Sequence, residues 1–134
     1  TEAAAARTGV LSFTIVGPAP GDRPMVRIAN PRRWGDVVLQ RKAMPTSYHL
    51  SVVVDDAAQG ITHVARGTDM EAATDIHVLV QMLLGLPTPI YTFHKLILGP
   101  DGKKLSKSRG SPALRDLRAA GWTPARVRAE LGFI

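Results

Sequence analysis

The chain contains no cysteine. That absence excludes disulfides and thiolate metal sites, and it fits a reducing cytoplasm. Aromatic residues make up only 5% of the 134 residues, and no aromatic platform for RNA bases is evident. No apolar run approaches the roughly 20 residues of a membrane span; the greasiest stretch, residues 79–86, is too short. Acidic residues are outnumbered, with eleven Asp and Glu against seventeen Lys and Arg. The first residue is Thr, and the Ala3–Ala6 run that follows lacks the charged leader of a signal peptide. The sequence therefore reads as one that begins inside a longer protein.

What is present fits a globular chain. Hydrophobic content is 45% and mean hydropathy is +0.02, which argues against disorder. The length makes one domain with a modest core the default. The net charge of +6 is unevenly spread. Residues 1–42 carry seven bases and three acids, residues 43–102 carry two and six, and residues 103–134 carry eight and two. Two basic ends around an acidic centre suggest a polyanionic partner, nucleotide or nucleic acid. The four histidines are widely spaced and read as scatter, so no metal site is expected.

Texture divides the chain near residue 45. Residues 11–16, 25–29 and 36–40 read as short strands broken by Gly17-Pro18 and Asn30-Pro31, so residues 1–45 are expected to form loops and short antiparallel strands. Residues 46–58 fit a helix capped by Thr46 or Ser47, while the run Ser51-Val-Val-Val54 has strand propensity; pattern leaves both open. Residues 61–65 alternate as a strand. Asp69 reads as the N-cap of a helix through Leu84, with Ile76, Leu79, Val80, Leu83 and Leu84 at helical spacing and Gly85 and Pro87 as the stop. Residues 90–98 form the next strand, and residues 112–120 and 123–131 two short helices, the second capped by Thr123 with Pro124 in its first turn. This alternation predicts an α/β fold with parallel strands over residues 46–134.

The densest chemistry lies in Asp101-Gly-Lys-Lys-Leu-Ser-Lys-Ser-Arg109. Gly102 permits a tight turn. Lys104 and Lys107 are point charges on flexible stems, and Ser106 and Ser108 can donate to phosphate oxygens. In open α/β sheets ligands bind beyond the carboxyl ends of strands. Both this loop and Arg66 follow expected strands, which points to a nucleotide and a carboxylate. Asp55 and Asp56 are adjacent on the expected helix and face different directions, so they are not a shared-proton pair. His49 and His63 read as structural or surface groups, His77 and His94 as weak candidates for the nucleotide side. Thr74 suits a local side-chain bond near the helix start.

The order Lys104-Leu-Ser-Lys-Ser108 resembles the KMSKS signature of class I aminoacyl-tRNA synthetases, with Leu105 in place of Met. The segment from Tyr48 to Asp69, then Ala73-Thr74-Asp-Ile-His77 and Leu84-Gly-Leu-Pro87, resembles that family's glutamyl branch in order and spacing. The resemblance covers residues 36–134 well and residues 1–35 poorly. Within the branch the chain looks most like the truncated glutamyl-Q tRNA(Asp) synthetases. Val52 stands where full-length glutamyl enzymes usually carry Asn, little sequence follows Ser108, and Trp122 to Gly132 is similar to that group's terminus.

The resemblance implies the second half of a Rossmann-like catalytic domain. It implies activation of glutamate by ATP with Mg²⁺, then transfer to queuosine in the anticodon of tRNA(Asp). It gives Tyr48 and Arg66 to glutamate binding. Lys104, Leu105, Ser106, Lys107 and Ser108 go to ATP binding, with Lys107 and Lys104 assisting catalysis. The family's HIGH-type motif and any zinc-binding cysteines would lie in an amino-terminal part outside this sequence, so the chain alone is expected to be inactive. Two other readings are a fragment of a full glutamyl-tRNA synthetase and a non-catalytic RNA- or nucleotide-binding module.

Overall fold

A computed structural model of the chain describes residues 1–43, 45–106, 108 and 110–132. Packing divides the chain into two compact units, Thr1–Lys95 and Leu96–Ile134. In the first, the elements run α1 (Glu2–Arg7), β1 (Ser12–Ile15), β2 (Met25–Ile28), a 3₁₀ turn (Pro31–Trp34), α2 (Tyr48–Ala58), β3 (His63–Gly67), a second 3₁₀ turn (Thr68–Met70), α3 (Thr74–Leu84) and β4 (Ile90–His94). The second holds α4 (Leu114–Ala119) and α5 (Pro124–Glu130).

The first unit is built on one sheet in the order β2-β1-β4-β3. β3 and β4 are parallel from His63↔Ile90 to Gly67↔His94, and β4 also pairs parallel with β1 through Ile15↔Tyr91. β1 and β2 form an antiparallel pair. The expected α/β class with parallel strands and short antiparallel strands near the amino end is therefore present. Residues 1–45 pack in the same unit as α2 to β4.

α3 is apolar on more than one side because it packs on two sides. Val78 and Leu79 join Leu11, Phe13, Ala29 and Tyr91 in a core against the sheet. Ile76 and Val80 pack with Val53 of α2 in a second cluster. The helix ends where Gly85 takes φ +65°, and the Leu86 N–H returns to the Gln81 carbonyl at 2.9 Å. That αL stop closes orphan carbonyls and sets Leu86 against the second cluster. Leu83 and Leu84, although in helical phase, are half exposed.

Several expectations are corrected. The segment 46–58, left open by pattern, is the helix α2. Residues 36–40 form no strand: the Val37 N–H donates to Thr1 Oγ1 and the Leu39 carbonyl accepts from Ser47 N–H, while both side chains pack on the second cluster. Asp69 does not cap α3. It lies in the 3₁₀ turn, and successive i to i+3 bonds, Glu71 to Thr68 and Thr74 to Glu71, delay the α-helix to Thr74. Thr74 Oγ1 donates to the Met70 carbonyl at 3.2 Å, the local bond expected of it. β3 runs to Gly67, so Arg66 is inside the strand rather than beyond it. β4 ends at His94, not at residue 98.

Among the described residues no helix is long and apolar enough to cross a membrane.

Candidate functional site

Arg66 is fixed by its strand. Alternation along β3 turns its side chain inward, toward α3, and leaves it only 9% exposed. Its Nη1 lies 2.8 Å from His77 Nδ1. Its guanidinium carbon sits 5.1 Å from the ring centroid of Tyr91 on β4. Among the described residues no carboxylate pairs with it. A guanidinium taken out of water normally finds an anion, because the desolvation cost is otherwise uncompensated. A guanidinium so placed has N–H groups that could take a carboxylate.

Around Arg66 three aromatic rings and an amide are held by the same elements. His77 on α3 is fully buried, and its Nε2 is 3.0 Å from Nδ1 of His49 on α2. Tyr48, the first residue of α2, lies edge-on to both imidazoles, with ring centroids 5.8 Å from each. Its ring remains half exposed. Gln81, one turn after His77, donates its amide N–H to the Tyr91 hydroxyl at 3.1 Å. Tyr48 and His49 also line a pocket of about 370 Å³ with Arg41 and Ser47.

Electrostatics follow the burial. Loss of solvation, reinforced by the neighbouring Arg66 charge and by His49, holds His77 down at about 3. The same two causes, burial and then Arg66, lower His49. Burial raises Tyr91, against the Gln81 hydrogen bond. Around Arg66 the imidazoles are thus neutral at neutral pH, and the guanidinium is the local charge. At the start of α3, burial pushes the Asp75 carboxyl up, against the Arg33 guanidinium 2.7 Å away.

The second unit carries the basic loop. Leu98 and Lys104 form an antiparallel bridge, closed by Leu105 N–H to the Ile97 carbonyl at 2.9 Å and Gly99 N–H to the Lys103 carbonyl at 2.8 Å. Gly102 takes φ +70° at the tip, the left-handed geometry expected of it. Asp101 Oδ1 accepts from the Lys103 N–H. Beyond the hairpin the Ser106 and Ser108 hydroxyls lie 3.2 Å apart, and Ser106 N–H donates to Ser111 Oγ. Lys104 and Leu105 are exposed. Lys107, the expected phosphate contact, lies outside the described residues, as does its expected meeting with Arg66.

The structure thus brings Tyr48 and Arg66 together, with His77 between them. His49 and His77, minor groups by sequence, join Arg66 in one hydrogen-bonded row. A histidine inside the run Ile76-His77-Val78-Leu79-Val80, with Gln81 one turn on, was the available signal. A polar group in that setting needs a buried partner. Asp55 and Asp56 show no paired arrangement; Asp55 is exposed. His63 bonds its neighbour Thr62, and His94 the Lys95 carbonyl.

Comparison with known proteins gives a consistent answer. Residues 22–131 match the family described as tRNA synthetases class I (E and Q), catalytic domain. The chain is 56% identical over 102 residues to a glutamyl-Q tRNA(Asp) synthetase of Rhodobacter capsulatus, covering 76% of this chain and 37% of that protein. It is 41% identical over 112 residues to the glutamyl-Q tRNA(Asp) synthetase of Symbiobacterium thermophilum, covering 80% and 35%. A crystal structure of a glutamate tRNA ligase from Elizabethkingia meningosepticum, in complex with its amino acid, aligns with TM-score 0.57 at 28% identity over 77% of this chain and 20% of that one. The chain spans little more than a third of the length of these curated relatives.

Proposed function

The chain belongs to the catalytic-domain family of class I tRNA synthetases (E and Q), and from that premise we propose that it is part of an enzyme that activates glutamate with ATP and transfers it to queuosine in the anticodon of tRNA(Asp). The observation that carries the reading is Arg66: a buried guanidinium that pairs with no carboxylate among the described residues, and that His77 links to the half-exposed phenol of Tyr48.

In this reading the Arg66 fork holds a carboxylate of glutamate, and the Tyr48 hydroxyl donates to the same amino acid. The free α-carboxylate oxygen attacks the α-phosphorus of ATP, the bond to the β-phosphate breaks, and pyrophosphate leaves. The second step passes the glutamyl group to a hydroxyl of the tRNA nucleoside and releases AMP. No side chain forms a covalent bond, so catalysis is positioning and charge stabilisation. The loop residues Lys104, Leu105, Ser106, Lys107 and Ser108 would hold the ATP phosphates. Hydroxyls and ammonium groups on a glycine-tipped hairpin suit that polyanion. Mg²⁺ would accompany ATP and neutralise phosphate charge.

The test uses the full-length polypeptide that contains this chain. Glutamate-dependent exchange of pyrophosphate into ATP is expected, and R66A and K104A should each reduce it. Glutamate should then transfer to tRNA(Asp) bearing queuosine and not to the same tRNA lacking it. Exchange driven equally by other amino acids would overturn the assignment. The isolated chain is expected to give no exchange, because the remaining ligand contacts lie elsewhere.

A second reading is supported by the fold match to a glutamate tRNA ligase: this is part of a full glutamyl-tRNA synthetase. Charging of the terminal adenosine of tRNA(Glu) in the same assay would select it. The higher identity to the glutamyl-Q relatives favours the first.

A further inference from the structure

Three side chains from three elements stand in one hydrogen-bonded row. Arg66 Nη1 is 2.8 Å from His77 Nδ1, and His77 Nε2 is 3.0 Å from His49 Nδ1. A guanidinium has only donors. His77 Nδ1 must therefore carry the lone pair, which puts its proton on Nε2. That Nε2–H donates to His49, whose Nδ1 must then accept, which puts the His49 proton on Nε2. Each tautomer follows from the arginine's inability to accept.

We propose that His77 is a positioning residue for Arg66, and that His49 locks the tautomer on which the positioning depends. The proposal rests on the reading of Arg66 as the carboxylate holder, and adds how that group is aimed. His77 has no exposed surface, so it does not touch a ligand itself. It takes up one guanidinium nitrogen, while the Tyr91 ring lies 5.1 Å from the guanidinium carbon and restricts its plane. The remaining N–H groups are left as a fork for a carboxylate. Among the described residues His77 is the one hydrogen-bond partner of the guanidinium, and with the Tyr91 ring it limits the group's rotation. Holding it before binding removes an ordering cost that would otherwise weaken capture.

The groups against His77 favour its neutral form. Arg66 on β3 is cationic, His49 on α2 accepts the proton-bearing edge, and Tyr48 presents the edge of its ring. None of these three is an anion that would draw a proton onto Nδ1. A carboxylate arriving at Arg66 leaves the imidazole contact intact, because it uses different N–H groups.

Two substitutions separate positioning from packing. H77N keeps an acceptor near the Nδ1 position, whereas H77F keeps bulk and removes the acceptor. Titrating glutamate into the full-length polypeptide that contains this chain, H77F should raise the dissociation constant about tenfold or more, and H77N should stay within about threefold of wild type. Equal loss in both variants, or no loss in either, overturns the proposal. A second measurement covers the case where H77F does not fold or wild type binds no glutamate. In wild-type chain labelled with ¹⁵N-histidine at neutral pH, His77 should show an unprotonated Nδ1 and a protonated Nε2. A protonated Nδ1 overturns the clamp whatever glutamate does. Absence of glutamate binding with that tautomer in place counts against the Arg66 reading alone.

Discussion

Arg66 on β3 and Tyr91 on β4 stack across the parallel pair, the guanidinium carbon 5.1 Å from the ring centroid, although they are not register partners. Tyr91 pairs with Val64, two residues earlier on the same face of β3. The diagonal places a buried positive charge on an aromatic face, an interaction worth about 0.5–2 kcal/mol. That is little against the cost of burying an ion that, among the described residues, pairs with no carboxylate, and under the proposed function glutamate would supply the missing anion.

Replacing that cation should trade function for stability. R66M fills the same space without the charge. We expect the unliganded R66M chain to be more stable by about 1–4 kcal/mol in urea unfolding. Glutamate binding should fall by about 2–5 kcal/mol for loss of the buried charge partner. A destabilised R66M would show that the guanidinium is satisfied by the protein alone.

Acid should unfold the chain partly through His77. Its folded value of about 3 lies below the ordinary 6.5. The unfolded chain therefore takes up a proton first as pH falls. The stability from keeping His77 neutral is complete above 6.5 and is lost progressively toward 3. The slope is at most about 1.4 kcal/mol per pH unit. Asp75, held above its usual value by burial, acts in the opposite sense at the acid end. The difference between wild type and H77N isolates the histidine. Equal pH dependence of the two, measured by urea midpoints, would contradict the assignment.

Phe13 joins the antiparallel pair to the parallel strands. Its ring meets Tyr91 edge-on with centroids 5.5 Å apart, and it is nearly fully buried. F13A should cost about 3–5 kcal/mol, a large share of a small domain's stability. Thermal unfolding should show a correspondingly lower midpoint, and Arg66 should lose its ordered Tyr91 platform in the same transition.

The cap of α5 offers a local test in the other unit. Thr123 Oγ1 accepts from the Arg126 N–H at 3.2 Å, and the Arg126 guanidinium covers the Trp122 ring at 4.1 Å. T123A should destabilise this helix by about 1 kcal/mol. Faster amide exchange confined to α4 and α5 would be the signature; uniform change across the chain would not fit.

Local signals were readable from the residues alone. Gly85 with Pro87 marked the end of α3, Thr123 with Pro124 the start of α5, and Gly102 the hairpin tip, because each depends on one residue's backbone freedom or side-chain bond. The ordered motifs from Tyr48 through Ser108 named the family. Position along the chain could not show that Arg66 is buried without a carboxylate partner among the described residues, or that His77 and His49 join it. Those three come from β3, α3 and α2, and only packing brings their ring and guanidinium nitrogens within 3.0 Å. The residue types set which tautomers are allowed; the tertiary structure chose the partners, because a buried polar group takes whatever donor or acceptor the neighbouring element supplies.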